Sequence, residues 1–276
     1  MNLKLDARAI RKAVPQLKFR TRAFIDGKYV NAESGRTYDS INPATGKVLA
    51  KIASCEAADV DAAVKAARRT FERGVWSKRP PAERKQVLLR FAALIEENLG
   101  ELALLDCLDA GKPITDCMTM DLPDSVHCLR WHAEAIDKEY EKVSPTGPAN
   151  VAMIVREPLG VIGAILPWNF PVQMAAWKLG PILATGNSVV VKPARQTSLS
   201  ALRLAELAAE AGIPDGVLNV VPGNGSVIGA ALCRHMDVDG AAFTGSTEVG
   251  RQLLKYSADS NLKRVILELG GKNPQV

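Results

Sequence analysis

Five segments of this chain place small, cationic or carboxylate-bearing residues directly after strand-like runs. Pro167-Trp168-Asn169-Phe170-Pro171 follows residues 161–166, and Lys192-Pro193 follows 188–191. Pro222-Gly223-Asn224-Gly225 follows 217–221, and Thr244-Gly245-Ser246 follows 240–243. The run that starts at Arg264 leads into Leu267-Glu268-Leu269-Gly270-Gly271-Lys272. Asn169, held between two prolines, could present its amide to a developing oxyanion. Glu268, just before a Gly-Gly pair that lets backbone approach closely, could serve as a general base. It could equally pair with Arg264 or Lys272. Lys192 could reach a ribose or a phosphate.

The glycines point to a nucleotide. Gly223-x-Gly225-x-x-x-Gly229 and Gly245-Ser246-Thr247-Glu248-Val249-Gly250 each join a strand to a helix, where free N–H groups and the helix dipole could hold a pyrophosphate. The second has P-loop spacing. Arg251-Gln252 replaces the Lys-Ser/Thr that would grip phosphate and Mg²⁺, which excludes an NTPase. Each glycine motif alone also fits a plain turn; the argument rests on five strand ends converging.

Elements must bring these ends together. From residue 151 strand-like and helix-like segments alternate, with helices expected over 171–184, 198–211 (capped by Thr197), 226–234 and 247–256. Such alternation predicts βαβ crossovers and a parallel, doubly wound α/β sheet, which binds ligands at its carboxyl edge. Upstream, Asp26-Gly27 between β-formers predicts a hairpin, and residues 42–46 a second turn. Helices are expected from a Ser54 cap to residue 73, from Pro80-Pro81, over 101–110, and over 122–140. Residues 144–148 read as a linker.

Composition narrows the partners. The 276 residues are 47% hydrophobic and 24% charged, which excludes long disorder. No apolar run reaches the ~18 residues that cross a bilayer. The formal charge of +5 is uneven: residues 1–28 carry eight basic and two acidic groups, and the remainder is nearly neutral. Asp6, and the lack of any Ser before Ser34, argue against a transit peptide. Missing aromatic interleaving argues against nucleic acid. Five cysteines without a CxxC imply reduced thiols and a cytoplasmic protein. Cys117, His127, Cys128 and His132 hold no metal on this reading, because His127 and His132 point about 140° apart on a helix.

The segments 167–171, 192–194, 243–247 and 267–272, in this order and spacing, resemble the NAD(P)-dependent aldehyde dehydrogenase superfamily over residues 20–276. Residues 152–158 and 215–221 look most similar to γ-glutamyl-γ-aminobutyraldehyde dehydrogenases. The charge excess marks a basic arm at 1–20, and the resemblance implies a Rossmann-like cofactor domain at 21–268 with N-terminal helices. It also implies oligomerisation strands at about 21–40 and 140–158, and the start of a catalytic domain at 269–276. It implies NAD or NADP as cofactor, an aldehyde (aminoaldehydes included) as substrate, and dimers or tetramers of the full-length protein, without nucleic acid or membrane. Asn169 would supply an oxyanion donor, Glu268 the base that activates water, and Lys178 help to organise the site. Lys192 would bind the adenosine ribose or a 2′-phosphate. Leu166, Pro167, Trp168, Phe243 and Leu269 would line the cofactor cleft, Gly225 and Val249 flank the adenine, and Gly245 and Ser246 approach the pyrophosphate. The implied reaction is thiol attack on the aldehyde, hydride transfer, then thioester hydrolysis.

Two departures stand out. No cysteine follows Glu268, and the sequence stops eight residues after it. The expectation is a fragment truncated before its nucleophile, inactive alone, with apolar surface exposed and a tendency to aggregate. The alternative is a non-catalytic NAD(P)-binding or assembly module. Secondly, Arg195 stands where many members have a Glu that repels a 2′-phosphate, so NADP⁺ is expected to be tolerated. A surface-pointing Arg195 is the alternative.

Overall fold

In a computed structural model, which describes residues 6–272 and 274, the expected alternation forms one seven-stranded sheet. The N-terminal part contains α1 (Ala7–Ala13), β1 (Ala23–Ile25), β2 (Lys28–Val30), β3 (Thr37–Ile41) and β4 (Val48–Ala53). Four helices follow: α2 (Ala57–Glu72), α3 (Pro81–Glu97), α4 (Leu99–Ala110) and the single turn α5 (Ile114–Asp116). A π-helical turn, Cys117–Asp121, joins α5 to α6 (Leu122–Ala135), and the hairpin β5 (Lys142–Ser144) and β6 (Ala152–Ile154) comes next. The alternating part is β7 (Val161–Ile165), α7 (Pro171–Ala184), β8 (Ser188–Lys192), α8 (Leu199–Glu210) and β9 (Leu218–Val220). It ends with α9 (Gly225–Arg234), β10 (Gly240–Gly245), α10 (Thr247–Ala258) and β11 (Arg264–Leu269).

The sheet order is β11-β10-β7-β8-β9-β1-β2. The first five strands are parallel, and β1 and β2 extend the far edge antiparallel. From β7 the chain winds one way to β8 and β9, then returns to place β10 on the other side of β7. That reversal is the switch point at which open α/β sheets leave a crevice.

Side-chain alternation sorts the core into two layers. Ile162, Ala164, Val189 and Val191 pack with α3, α4, α6, α7 and α8. Val161, Ile165 and Val190 point the opposite way, into a layer with α2, α9 and α10. With helices on both faces, every residue of β7 and β8 is buried, as expected of parallel strands. The outer strand β11 is different: Ile266 remains 64% exposed.

The Asp26-Gly27 hairpin forms as expected, with both central residues left-handed (φ 53° and 77°) and Phe24 opposite Tyr29. Other local expectations need correction. Helix α2 starts after Glu56 rather than Ser54. Ser54 N–H donates to Arg36 and Cys55 N–H to Pro222, which keeps the chain extended through Cys55. The Asp59 carboxylate then takes the Glu56 N–H (2.8 Å) and the Glu33 N–H (2.9 Å). Thr197 does not cap α8: its Oγ1 is buried without a partner. The Leu199 N–H bonds Asp109 Oδ2 of α4 instead (2.9 Å). Helix α6 ends at Ala135, short of Tyr140. The 151–157 strand shrinks to β6, paired only with β5 and exposed at each residue.

Gly160, which feeds β7, adopts φ +133°, and a Cβ there would lie 1.9 Å from Asp239 Oδ2. That oxygen accepts the Val161 N–H (2.7 Å) and pairs with Arg68. Gly160→Ala is therefore expected to cost about 2 kcal/mol or more in urea unfolding. A loss below ~0.5 kcal/mol, the usual range of neutral surface changes, would refute this account of the entry to β7.

Candidate active site

Pro167 ends β7. The strand ladder carries on through Leu166 N–H to Lys192 O (2.9 Å), and Pro167 has no N–H with which to continue it. Trp168 and Asn169 turn outward and are exposed, and Pro171 occupies the first position of α7, where a missing N–H costs nothing. Across the switch point β10 ends at Gly245, and Ser246 Oγ caps α10 by accepting the Val249 N–H (3.3 Å). A cleft of about 710 Å³ opens between these two ends, within the range of small-molecule and cofactor sites.

Of the residues to which the resemblance gives a role, all but Lys178 and Arg195 line this cleft. Leu166, Pro167, Trp168 and Asn169 come from the end of β7, Lys192 from β8 and Gly225 from α9. Phe243, Gly245, Ser246 and Val249 form the opposite wall, and Glu268 and Leu269 close one end from β11.

Lys192 is the most informative of them. It is 5% exposed, and among the described residues its ammonium has no hydrogen-bond or ion-pair partner. Burial alone pushes it down to about 8. A Cβ on Gly225 would lie 3.2 Å from its Nζ, so glycine permits the approach of α9 to the ammonium. The Asn224 side chain, which accepts the Ser226 N–H (3.0 Å) and the Ser226 hydroxyl (2.9 Å), shapes that helix start. An unpaired buried ammonium is costly and calls for an acceptor-rich occupant.

Lys178 stands behind the cleft, buried on α7. Its Nζ donates to Thr244 Oγ1 (2.8 Å), and Thr244 lies opposite Glu268 in the β10–β11 register. Burial lowers its pKa while the nearby Glu268 charge opposes that shift. Lys178, Thr244 and Glu268 also share the adjoining groove of about 360 Å³ between α7 and β11. Arg195 is exposed outside the wall, its guanidinium over the Tyr38 ring (4.9 Å to the centroid). The Tyr38 hydroxyl is anchored on Ser198 Oγ (2.8 Å).

Several wall residues escaped the sequence reading. Gln252, Leu253 and Tyr256 follow Val249 at intervals of three, four and seven, one face of α10. Met174 and Trp177 stand four and seven residues beyond Phe170 on α7. Extending the helical period from each strand end would have found both sets. Gln173 Nε2 and Trp177 Nε1 both donate to Asp124 Oδ2 of α6 (2.7 and 3.2 Å), which fixes this wall. Large apolar side chains remain open around the cleft: Trp168 is 59% and Trp177 51% exposed.

None of the five cysteines lines the cleft. Each is unpaired, and burial pushes every thiol up, Cys117 to about 12 and Cys128 and Cys233 to about 11. Thiols held this high are poor nucleophiles near neutral pH. Cys128 and His132 do share one helix face, where His132 Nδ1 lies 2.9 Å from the Cys128 carbonyl. No described helix is long and apolar enough to cross a membrane.

The family model described as "Aldehyde dehydrogenase family" matches residues 29–276. An aminoacetaldehyde dehydrogenase of Pseudomonas aeruginosa is 61% identical over 255 residues, 92% of this chain and 51% of that protein. The NADP/NAD-dependent aldehyde dehydrogenase PuuC of Escherichia coli is 54% identical over 260 residues, 94% of this chain and 52% of that one. Among solved structures, an indole-3-acetaldehyde dehydrogenase complexed with NAD⁺ aligns with a TM-score of 0.97 at 52% identity, covering 98% of this chain and 55% of that chain. A γ-glutamyl-γ-aminobutyraldehyde dehydrogenase of Burkholderia cenocepacia aligns at 0.95 and 55% identity, covering 97% and 54%. The chain thus spans about half the length of the curated relatives it matches.

Lys192 also gives a stability test. Its folded pKa of about 8 lies below the unfolded value near 10.4. The unfolded chain therefore binds more protons between these values, and stability rises with pH across that window; below it the full burial cost is present. Lys192→Met is expected to raise unfolding stability at pH 7 by about 1–3 kcal/mol and to flatten the rise above pH 8. Urea titrations at pH 7 and 10 would oppose this account if the variant were less stable at both.

Proposed function

The chain belongs to the aldehyde dehydrogenase family, and on that premise we propose that it supplies the NAD(P)-binding half of an aldehyde oxidation site. The observation that carries this reading is the buried Lys192 ammonium beside the start of α9, which has no partner among the described residues. A dinucleotide fits such a donor set: a ribose hydroxyl or 2′-phosphate oxygen satisfies Lys192. The N-terminal ends of α9 and α10 add positive dipole ends on the same cleft, at Gly225 and at Ser246.

When bound, the cofactor supplies the hydride acceptor. The nucleophile apart, this chain's own residues would position and polarise the reactants. Asn169 donates from its amide to the substrate oxygen as that oxygen gains negative charge. Glu268 takes a proton from the water that hydrolyses the thioester. Lys178 acts behind it, holding Thr244 and adding positive charge near the carboxylate. Gly225 and Val249 would hold the adenine, Gly245 and Ser246 would meet the pyrophosphate, and Leu166, Pro167, Trp168, Phe243 and Leu269 would form the walls that exclude water. None of the chain's five raised thiols is the nucleophile that forms the thioester. The same observation favours a second reading, a module that binds NAD(P) without catalysis.

The substrate class we infer is an aminoaldehyde, supported by the likeness to an aminoacetaldehyde dehydrogenase. Copies of the full-length protein associate through residues 140–158 on this reading. There Tyr140, Val143, Val151 and Met153 are each at least 67% exposed. The unpaired cysteines fit a reducing, cytoplasmic setting.

Calorimetric titration tests the cofactor reading. NAD⁺ is expected to bind this chain without turnover of an added aldehyde. Affinity should fall about tenfold per pH unit above pH 8 as Lys192 loses its proton, and Lys192→Met should remove that limb. Absence of NAD⁺ binding at pH 7 would end the proposal. For Arg195, the proposal is tolerance of NADP⁺ within about tenfold of NAD⁺, weakened by Arg195→Glu. Much tighter NAD⁺ binding, insensitive to that substitution, would leave Arg195 a surface residue stacked on Tyr38.

A further inference from the structure

Helix α4 and the residues just past its end carry three charged side chains at intervals of three: Asp106, Asp109 and Lys112. Each touches a segment that follows a strand of the cleft. Asp106, 1% exposed, accepts the Val172 N–H in the first turn of α7 with Oδ2 (3.3 Å). Asp109, 3% exposed, accepts the Leu199 N–H at the start of α8 with Oδ2 (2.9 Å) and the Ser40 hydroxyl with Oδ1 (2.7 Å). Lys112 Nζ lies 3.4 Å from the centroid of the Phe170 ring and pairs with Asp121 (2.7 Å).

The two helices capped in this way lack local caps. Phe170 and Ser198, which occupy the N-cap positions of α7 and α8, make no side-chain capping bond. On the other face of the sheet Asn224 and Ser246 cap α9 and α10 from the position just before each helix. For α7 and α8 one rigid helix supplies both caps from beneath. Its carboxylates are among the costliest groups to bury: desolvation pushes Asp106 up to about 7 and Asp109 to about 6. Helix α7 begins at the Asn169 turn, and α8 begins at the end of the loop that leaves Lys192.

We propose that Asp106 and Asp109 are a positioning pair, fixing the Asn169 turn and the Lys192 loop relative to each other by capping α7 and α8 from the single frame of α4. Neither residue lines the cleft. They act through backbone amides, and the rotation of α4 about its axis decides whether both amides are reached at once. The inference rests on the reading of the cleft as the dinucleotide site.

NAD⁺ titration of the unsubstituted chain, Asp106→Leu, Asp106→Ala and Asp106→Asn separates the possibilities. Urea midpoints and hydrogen exchange of the Val172 amide are measured alongside. Leu keeps the volume and Ala does not; both remove the acceptor, whereas Asn keeps an acceptor oxygen and removes the charge. Whichever acceptor-free variant folds is expected to bind NAD⁺ about tenfold more weakly, with faster exchange at Val172. Asp106→Asn should recover affinity to within about twofold, whatever its urea midpoint, because the amide oxygen still caps. Unchanged affinity in a folded acceptor-free variant overturns the proposal. Equal weakening by Asn and Leu overturns it too, since the effect would then follow charge rather than the cap. Failure of the unsubstituted chain to bind NAD⁺ defeats the cofactor reading itself, an outcome distinct from both.

Discussion

Crossovers between parallel strands are right-handed, so a chain that winds outward from β7 in one direction and then in the other must put its helices on opposite faces. Helices α7 and α8 pack in one layer and α9 and α10 in the other. Between β7 and β10 no helix can cover the carboxyl ends, because the connections leaving them depart in opposite directions. The cleft is the space left by this constraint. The Asn169 turn, the Gly245-Ser246 helix start and the Lys192 ammonium reach it because each stands at a strand end that the winding brings to one edge.

This dependence explains how much of the site could be read from the sequence. Strand-end residues were legible because a Pro, Gly or Lys that closes a short apolar run is a local signal, and the doubly wound order makes such positions converge. Asn169, Lys192, Gly225, Ser246 and Glu268 share the cleft for that reason. Gln252, Tyr256 and Trp177 carry no strand-end signal; they become legible only when the helical period is extended from the starts of α7 and α10. Arg195 marks the limit of reasoning by position: it follows the same strand as Lys192, yet its guanidinium turns to the Tyr38 ring, contributed by β3 from more than 150 residues away. Helix starts failed similarly. Ser54 and Thr197 carry capping side chains, but Cys55 is tied to Pro222 and the free N–H of α8 is met by Asp109. Such long-range substitutes leave no trace in a local window.

The site also collects groups that folding alone would avoid. Lys192 is buried without a partner among the described residues, Lys178 is desolvated near the Glu268 charge, and Asp106 and Asp109 sit in the core beneath the two loops. Apolar residues in these positions would make a more stable sheet. Their presence at one edge, and the contrast with the wholly apolar β7 and the Val189–Val191 stretch, fits a surface arranged for a polar occupant. The five cysteines follow the opposite rule: they are buried or half-buried spacers with raised thiols, away from the cleft.

Hydrogen exchange of the chain with and without NAD⁺ addresses the central claim most directly. Protection is expected at the amides of Leu166, Trp168 and Asn169, at the starts of α9 and α10, and around Lys192, with residues 140–158 unchanged. Protection confined to other regions, or none at saturating NAD⁺, would contradict the assignment of the switch-point cleft as the dinucleotide site.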